Sequence, residues 1–253
     1  MFSWVSAATC RLRPTSRHRA RVSRSSSTSR TLALANKVGA RHAAVVALTF
    51  PSSPLVAKRG ETVVTGLPLR AAIADLASRR ADAEGAKRAR REAAERLGVD
   101  GDAPTLLVTG GSLGALHVNE SMTGAADALP EGAQVVHLTG RGKDAPVREA
   151  VEAAGLADRW HVIDYLTTME DALAVADLVV CRSGAGTVAE MEALGLPCIY
   201  VPLPIGNGEQ RLNAADHVAA GGAQLIDDKD FTAEFVRRNV FPLLGSTRLA
   251  DMA

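Results

Sequence analysis

Hydrophobic residues in the second part of the chain come in short continuous runs, and each run is followed by a stretch with the spacing of a helix. We predict six strands, at 105–109, 134–138, 160–163, 178–181, 198–201 and 223–226. The predicted helices between them begin near Leu113 and then cover 145–154, 169–176, 187–194 and 209–219. Strands that alternate with helices of about ten residues indicate βαβ units and a parallel sheet.

The first part of the chain has a less regular pattern. Apolar residues from about Thr31 predict a helix followed by a strand, and prolines then interrupt the pattern. A second short strand is expected at 61–65. The charged stretch 82–97 predicts a surface helix that ends at Gly98.

Residues 1–30 differ in composition from the rest, because they contain seven arginines, many serines and no acidic residue. Three interpretations are open: a transit peptide, a disordered basic arm, or unrelated residues joined by a wrongly assigned start. We favour the last, since the following segment begins as if in the middle of a domain. The segment shows no helical stripe and no alternating strand, and we assign it neither fold nor function.

Composition narrows the functional classes. The net charge of +1 depends on residues 1–30, and the remainder of the chain is acidic, which argues against nucleic acid as a partner. Cys10, Cys181 and Cys198 are too scattered for a disulfide framework or a zinc site, which fits a reducing cytoplasm. No run of roughly eighteen apolar residues is present, so no membrane-spanning helix is expected.

Ligands of parallel sheets bind where strands end and loops lead into helices. The loop after the first of the six strands has the sequence TGGSLGA, at 109–115. Its glycines allow close approach of the backbone, the helix start favours an anion, and Ser112 adds a hydroxyl. A plain tight turn explains the loop equally well. The glycine spacing does not match a dinucleotide fingerprint, and no Walker lysine follows.

The loop after the fourth strand has the sequence CRSGAGTVAE, at 181–190. Ser183 and Thr187 supply hydroxyl groups, and a diphosphate at this helix start would gain backbone hydrogen bonds and the positive end of the helix dipole. Glu190 lies one turn into the helix and suits paired sugar hydroxyls. Taken alone, Glu190 is more simply explained as a charge that steadies the helix start.

Further polar residues occupy the third loop and the first part of the chain. Gln210 and Asn213 share a helix face, so their amides suit hydroxyl and acetamido groups, although a solvated first turn is the plain alternative. Arg70 would reach a phosphate or remain a surface arginine. His117, His137 and His161 lack metal-ligand spacing and are interpreted as structural polar residues rather than catalysts. Cys181 is interpreted as a core residue rather than a nucleophile.

These motifs together resemble the GT-B glycosyltransferases that form lipid II. The resembling segments are 107–115 with Asn119, then 176–190, 195–197 and 209–214. They occur in the order and spacing of that family, and the resemblance covers about 34–253. It implies an α/β fold of GT-B type, with one Rossmann-like, doubly wound parallel-sheet domain at 71–253 that binds a UDP-sugar, and a remnant of the first, acceptor domain at 31–70.

The resemblance also implies roles for individual residues. Arg70 and Ser112 would contact the donor, and Leu166 would lie beside the uracil. The diphosphate and ribose would be held by Ala185, Gly186, Thr187, Val188, Ala189 and Glu190, with Glu190 on the ribose hydroxyls. Gln210 and Asn213 would meet the hydroxyls of N-acetylglucosamine.

Several departures from the family pattern shape the expectation for this chain. The family's Gly-rich, histidine-ending loop is missing, as is the Glu-Gln-Asn segment expected before Leu34, and Ile205 stands where many members have histidine. The chain also stops short of the family's terminal helix. Because the family's catalytic base lies in the first domain, we assign no catalytic residue. We expect weak UDP binding and little or no sugar transfer.

For the whole enzyme, the resemblance implies inverting transfer of N-acetylglucosamine from UDP-N-acetylglucosamine to undecaprenyl-diphospho-muramoylpentapeptide. A helix start rather than a metal would stabilise the leaving diphosphate, and no cofactor is expected. The family works at the cytoplasmic face of the bacterial plasma membrane with peripheral membrane contact. The alternatives are another GT-B transferase, such as a glycolipid synthase, and a nucleotide-binding module without catalysis.

Overall fold

The computed structural model describes residues 22–25, 34–111, 114–205 and 208–253, with only the backbone described for 22–25, 34 and 35. It contains two parallel sheets. The smaller one has three strands, in the order β1 (Val22–Ser25), β2 (Val45–Leu48) and β3 (Glu61–Val64). No described helix is long and apolar enough to cross a membrane.

The larger sheet has six parallel strands, and all six were predicted from the sequence. They are β4 (Thr105–Thr109), β5 (Gln134–Leu138), β6 (Trp160–Ile163), β7 (Leu178–Cys181), β8 (Cys198–Tyr200) and β9 (Ala223–Leu225). Their order is β6-β5-β4-β7-β8-β9. The chain starts in the centre, moves outward to β6, and then returns to the other side of β4. This reversal makes a doubly wound sheet whose switch point lies between β4 and β7.

Both faces of the larger sheet are covered by helices. In chain order, the α-helices of the described residues are α1 (Leu34–His42), α2 (Ala71–Arg80), α3 (Ala83–Leu97), α4 (Leu116–Thr123), α5 (Asp144–Ala153), α6 (Met169–Val175), α7 (Ala185–Leu194), α8 (Glu209–Asn213), α9 (Ala215–Ala219), α10 (Ala233–Phe235) and α11 (Thr247–Met252). Alternate residues of β4 enter two different cores: Leu106 and Val108 enter one, and Leu107 enters the other. Continuous apolar runs therefore reflect burial on both faces.

The first part of the chain packs against this sheet as well as within itself. Phe50 belongs to the core that contains Leu107, and Leu69 packs against that core. The hydroxyl of Ser52 also donates to Asp216 in α9, at 3.1 Å. Residues 34–70 are therefore attached to the six-stranded sheet by apolar and polar contacts, in addition to the covalent chain.

The structure differs from the sequence prediction mainly at helix boundaries. Helix α2 was not predicted, α7 begins two residues early, and α4 begins at Leu116 instead of near Leu113, which lies outside the described residues. The predicted helix 209–219 is divided into α8 and α9. Strand β1 occurs where no strand was predicted, because its backbone pairs in register with β2 without needing an alternating apolar pattern.

Candidate functional site

The switch point places two loops side by side at the carboxyl edge of the sheet. Thr109, the last residue of β4, pairs in register with Cys181, the last residue of β7. The glycine-rich loop after Thr109 and the loop that begins at Arg182 therefore leave the sheet next to each other. The sequence predicted that both loops face a ligand, and the topology brings them together at the edge where such sheets bind ligands.

Helix α7 begins with an open turn at this edge. Its N-cap is Gly184, which has no side chain to cap the helix, and the first intrahelical bond runs from the Val188 N–H to the Gly184 carbonyl at 2.9 Å. The N–H groups of Ala185, Gly186 and Thr187 precede that bond and have no partner within the helix. They make the start of α7 a favourable place for an anion.

Small residues keep this helix start accessible. A Cβ atom at Gly184 would come no closer than 3.9 Å to Thr187, and one at Gly186 no closer than 4.0 Å to Leu67. Both are ordinary contact distances, so packing alone does not demand glycine at either position. The absence of side chains at 184 and 186 leaves space beside the open turn of α7.

Arg70 and Glu190 form a bidentate ion pair at the same edge. Nε of Arg70 donates to Oε1 of Glu190 at 2.8 Å, and Nη2 donates to Oε2 at 3.1 Å. The hydrogen bond to Glu190 raises the pKa of Arg70 above its ordinary value, although burial opposes this effect. The Arg70 side chain is 53% exposed and that of Glu190 is 16% exposed, so the arginine can still contact a ligand from solvent.

Arg182 was named in the sequence only as part of its loop, yet the structure gives it a central position. Its Nη1 donates to the carbonyls of Val201 and Pro202, at 3.0 and 3.1 Å, and to Asp228. These contacts connect the ends of β7, β8 and β9. A basic residue directly after a strand at the ligand edge is the sequence signal that could have identified Arg182.

A cavity of about 190 Å³ lies where these groups meet. Its lining includes two cations, Arg70 and Arg182, together with Thr187, Glu190 and Gly111. The volume is below the roughly 300–1,000 Å³ of sites that enclose a whole small molecule. Apolar side chains of Met169, Val179, Cys181 and Met191 line the remainder. The cavity therefore has room for only part of a larger ligand, and its charged groups are the two arginines and Glu190.

Asn213 is oriented into the protein and braces the loop before α7. It is 4% exposed, and its Nδ2 donates to the carbonyl of Ser183 at 3.1 Å. Its Oδ1 and the Oγ of Ser183 are buried without a partner among the described residues. Asn213 thus fixes the backbone that leads into α7, whereas its contact with a sugar stays a prediction.

Gln210 holds the third loop in a similar way. Its Oε1 accepts a hydrogen bond from the N–H of Leu203 at 2.9 Å, across the segment that contains Gly206 and Asn207, which lie outside the described residues. The side chain is half-buried, and its Nε2 makes no hydrogen bond within the part of the chain that the structure describes. Contact between Gln210 and a sugar stays a prediction.

The other predicted donor residues occupy different environments. Val188 is fully buried, so it supports α7 from the core rather than facing the cavity. Ala189 is half-buried beside it, and Leu166 is half-buried against the core but is not part of the cavity lining. Ser112 lies outside the described residues. The role of each in donor binding stays a prediction.

The glycine-rich loop is held by a buried polar chain. Nε2 of His137 lies 3.1 Å from Oδ1 of Asn119, and Nδ2 of Asn119 donates to the Thr139 carbonyl at 3.1 Å. That carbonyl lies against Gly114, where an added Cβ would approach it to 2.1 Å. Gly114 also has a φ of +67°, so both contact and conformation require glycine.

Cys181, Cys198 and His161 fit a structural role, and Cys10 lies outside the described residues. Cys181 is buried, and its hydrogen bond with Cys198 together with burial raises the pKa of its thiol, as expected for a core residue. Burial likewise lowers the pKa of His161. Among the described residues, no group of three or more His, Cys, Asp or Glu side chains is arranged to hold a metal ion.

A larger cleft of about 620 Å³ lies at the opposite edge of the six-stranded sheet. Segments that precede strands line it, including Pro104, Asp177 and Pro197, with Arg80 and Arg90 from α2 and α3. The guanidinium of Arg90 is already engaged within the protein, since it donates two hydrogen bonds to Asp177 and one to each of two loop carbonyls. Because ligands of doubly wound sheets bind at the carboxyl edge, we place the candidate site in the smaller cavity.

Comparison with known proteins identifies the family to which this chain belongs. Residues 105–249, more than half of the chain, match the model of the glycosyltransferase family 28 C-terminal domain. The chain belongs to this family. Its matched region contains every strand of the six-stranded sheet and nearly the whole candidate site, with Arg70 preceding it.

Two curated relatives of this chain carry the same name, UDP-N-acetylglucosamine--N-acetylmuramyl-(pentapeptide) pyrophosphoryl-undecaprenol N-acetylglucosamine transferase. One, from Bifidobacterium longum, is 48% identical over 86% of this chain and 59% of its own length. The other, from Paenarthrobacter aurescens, is 46% identical over 87% of this chain and 56% of its own length. The chain thus spans somewhat more than half the length of these relatives.

A solved structure supports the fold assignment. MurG of Acinetobacter baumannii superposes with a TM-score of 0.65 at 23% identity, covering 91% of this chain and 60% of that chain. At that identity the likeness concerns the fold alone. With the family match, it confirms the predicted α/β, GT-B-type fold with a doubly wound parallel sheet.

Proposed function

We propose that this chain is the donor-binding part of a glycosyltransferase that moves N-acetylglucosamine from UDP-N-acetylglucosamine to undecaprenyl-diphospho-muramoylpentapeptide. The observation that carries the proposal is the open start of α7, which adjoins a cavity lined by Arg70, Arg182 and Thr187. The printed names of the relatives from Bifidobacterium longum and Paenarthrobacter aurescens support the choice of donor and acceptor.

The cavity suits the diphosphate of the donor. Three N–H groups at the start of α7 are free of intrahelical bonds, and two guanidinium groups line the same space. When the bond between sugar and diphosphate breaks, negative charge grows on the leaving UDP. Fixed N–H dipoles and arginine charges stabilise that charge without reorganising during the reaction.

Glu190 supports binding of the nucleoside. Its carboxylate faces the cavity with both oxygens engaged by Arg70, and each carboxylate oxygen can accept a further hydrogen bond. Two neighbouring ribose hydroxyls therefore fit beside Arg70 without displacing it. Leu166 offers an apolar surface next to the base, in keeping with its half-buried position.

The sugar is proposed to lie near the loop that Gln210 closes. Its free amide nitrogen is a donor for hydroxyl or acetamido oxygens, while Oε1 keeps the loop in place. Asn213 supports this site indirectly, because its Nδ2 donates to the carbonyl of Ser183 and so fixes the backbone before α7. The transfer itself is proposed to invert the anomeric carbon, with the acceptor hydroxyl attacking opposite to UDP.

Titration calorimetry with UDP, UDP-N-acetylglucosamine and GDP tests donor binding. We expect the uridine ligands to bind and GDP to bind much more weakly. Thr187→Val keeps the side-chain shape but removes a hydroxyl at the open helix turn, so it is expected to weaken UDP binding. Glu152→Gln, on the exposed face of α5, is the matched control. A wild-type chain that binds no UDP would contradict the proposal.

Because little sugar transfer is expected from this chain, acceptor identity is tested by the residual release of UDP from UDP-N-acetylglucosamine, followed over long incubations with different lipids. Release that depends on undecaprenyl-diphospho-muramoylpentapeptide supports the acceptor, whereas release with a diacylglycerol alone indicates a glycolipid synthase. Because this acceptor is a membrane lipid, we also propose peripheral contact with the cytoplasmic face of the plasma membrane. Sedimentation with vesicles that contain the acceptor measures that contact.

A further inference from the structure

Asp228 lies behind the diphosphate cavity and was not noticed in the sequence. It begins a short 3₁₀ turn, Asp228–Asp230, shortly after β9. Its side chain is only 14% exposed, and its Oδ1 accepts a hydrogen bond from Nη1 of Arg182. A carboxylate that is this well buried requires a partner, and Arg182 is that partner.

The second oxygen of Asp228 faces the helix that follows the glycine-rich loop. Its Oδ2 lies 3.2 Å from Nδ1 of His117, at the start of α4. That nitrogen is not aligned for a hydrogen bond and has no other partner among the described residues. The aligned contact of Asp228 is therefore the one to Arg182, with His117 as a neighbour on its other side.

Among the described residues, one amino group of Arg182 thus makes all of its hydrogen bonds. Nη1 donates to Asp228 and to the carbonyls of Val201 and Pro202. Nε is buried and finds no partner in the part of the chain that the structure describes. The guanidinium is planar and rigid, so fixing one amino group fixes the direction of its other donors.

We propose that Asp228 is a positioning residue that holds Arg182 by one amino group, Nη1, and so presents the other amino group, Nη2, to the diphosphate cavity. The proposal rests on the proposed function, because it takes the cavity as a diphosphate site. Two backbone carbonyls carry only partial charge. Without the carboxylate they hold the guanidinium less firmly, and the arginine is free to turn away from the cavity.

Titration of UDP and uridine against the full chain separates the diphosphate contribution from the rest. Asp228→Ala is expected to weaken UDP binding roughly tenfold, the scale on which removal of an orienting partner acts, and to leave uridine binding unchanged. Asp228→Asn keeps an acceptor oxygen and is expected to restore most of the UDP affinity. Asp230→Ala, which removes an exposed carboxylate from the same turn, is the matched control.

Two titration results would overturn the proposal. In one, Asp228→Ala binds UDP as tightly as the wild type while Arg182→Ala binds it weakly. In the other, Asp228→Ala loses affinity for UDP and uridine equally, which indicates a general distortion of the site. If Asp228→Ala does not fold, Asp228→Ser takes its place, because serine is too short to reach Arg182.

A crystal structure of the Asp228→Ala chain tests the holding of Arg182 without any nucleotide. The guanidinium is expected to leave its position near Val201 and Pro202, and an unmoved guanidinium would refute the inference. If the wild-type chain binds no UDP but Arg182 moves in the variant, the proposed function fails while the holding of Arg182 by Asp228 is supported. The two failures are therefore distinguishable.

Discussion

His137 is a buried histidine of β5 that the fold keeps neutral. It is fully buried, Nδ1 accepts a hydrogen bond from Nε1 of Trp160 at 3.2 Å, and Nε2 faces Oδ1 of Asn119 at 3.1 Å. The indole N–H can only donate, so Nδ1 of the imidazole must act as an acceptor. The ring therefore carries its single proton on Nε2. A second proton would sit on Nδ1, where it would oppose the N–H donor of the indole.

The cost of protonating His137 follows from its pKa, which burial lowers from 6.5 to about 3. Between those pH values the unfolded chain binds one proton more than the folded chain. The contribution of His137 to stability is therefore complete above about pH 6.5 and is lost as the pH falls towards about 3, at about 1.4 kcal/mol per pH unit. From about pH 6.5 to about pH 5 the loss is roughly 2 kcal/mol.

Urea unfolding followed by circular dichroism, from about pH 7.5 to about pH 5, measures this loss. The comparison is with His137→Gln, which retains an acceptor for Trp160 and a donor for Asn119 but does not titrate. Burial also lowers the pKa of His161 and His217, and both remain in the variant, so their effects cancel in the difference. The wild-type advantage should stay constant above about pH 6.5 and shrink by about 1.4 kcal/mol per pH unit below it. A constant difference, or an NMR titration of His137 near pH 6.5, would refute the reasoning.

Three further substitutions test other parts of the structure. Gly114→Ala is expected to cost at least about 3 kcal/mol, because its methyl group meets a carbonyl at 2.1 Å, whereas Gly132→Ala, also at positive φ but in open space, should cost about 1 kcal/mol in thermal unfolding. Arg90→Ala should cost about 2 kcal/mol in urea unfolding, since it removes the guanidinium donor of two loop carbonyls and leaves the Asp177 carboxylate with only the N–H of Thr105. Glu190→Gln should change stability by less than about 1 kcal/mol but weaken UDP binding about tenfold in calorimetry, and unchanged binding would contradict the ribose assignment.

The larger sheet was predictable from the sequence because its signal is local. The four inner strands, β4, β5, β7 and β8, are buried along their whole length, so most of their residues are apolar. Glycine or proline also lies beside several of the runs, as at Pro104, Gly110, Pro197 and Pro202. Helix α2 was missed because its local signal is weak. Its buried residues are Ile73 and Leu76, and the half-buried arginines at its end, Arg79 and Arg80, obscure the helical stripe. A short amphipathic helix with two buried residues gives too weak a periodicity.

Parts of the candidate site were predictable and other parts were not. The loops at the ends of β4 and β7 were recognised because small residues between a strand and a helix are a local pattern. The pairing of Arg70 with Glu190 was not, because 120 positions separate the two residues. The same applies to Arg182 and Asp228, which meet across 46 positions once β8 and β9 are in place. Such contacts follow from the strand order, which local patterns do not contain.

The ion pair between Arg70 and Glu190 connects the first part of the chain to the site, and its strength decides how it affects a ligand. More than half of the Arg70 side chain is exposed, so the pair contributes at most about 1 kcal/mol to folding. A stronger, buried pair would have to be broken before either residue served a ligand. A weak pair instead holds both side chains in place at little cost, so in the proposed function the diphosphate would meet an oriented arginine and the ribose an oriented carboxylate. The modest strength of this contact therefore favours a role in binding over a role in stability.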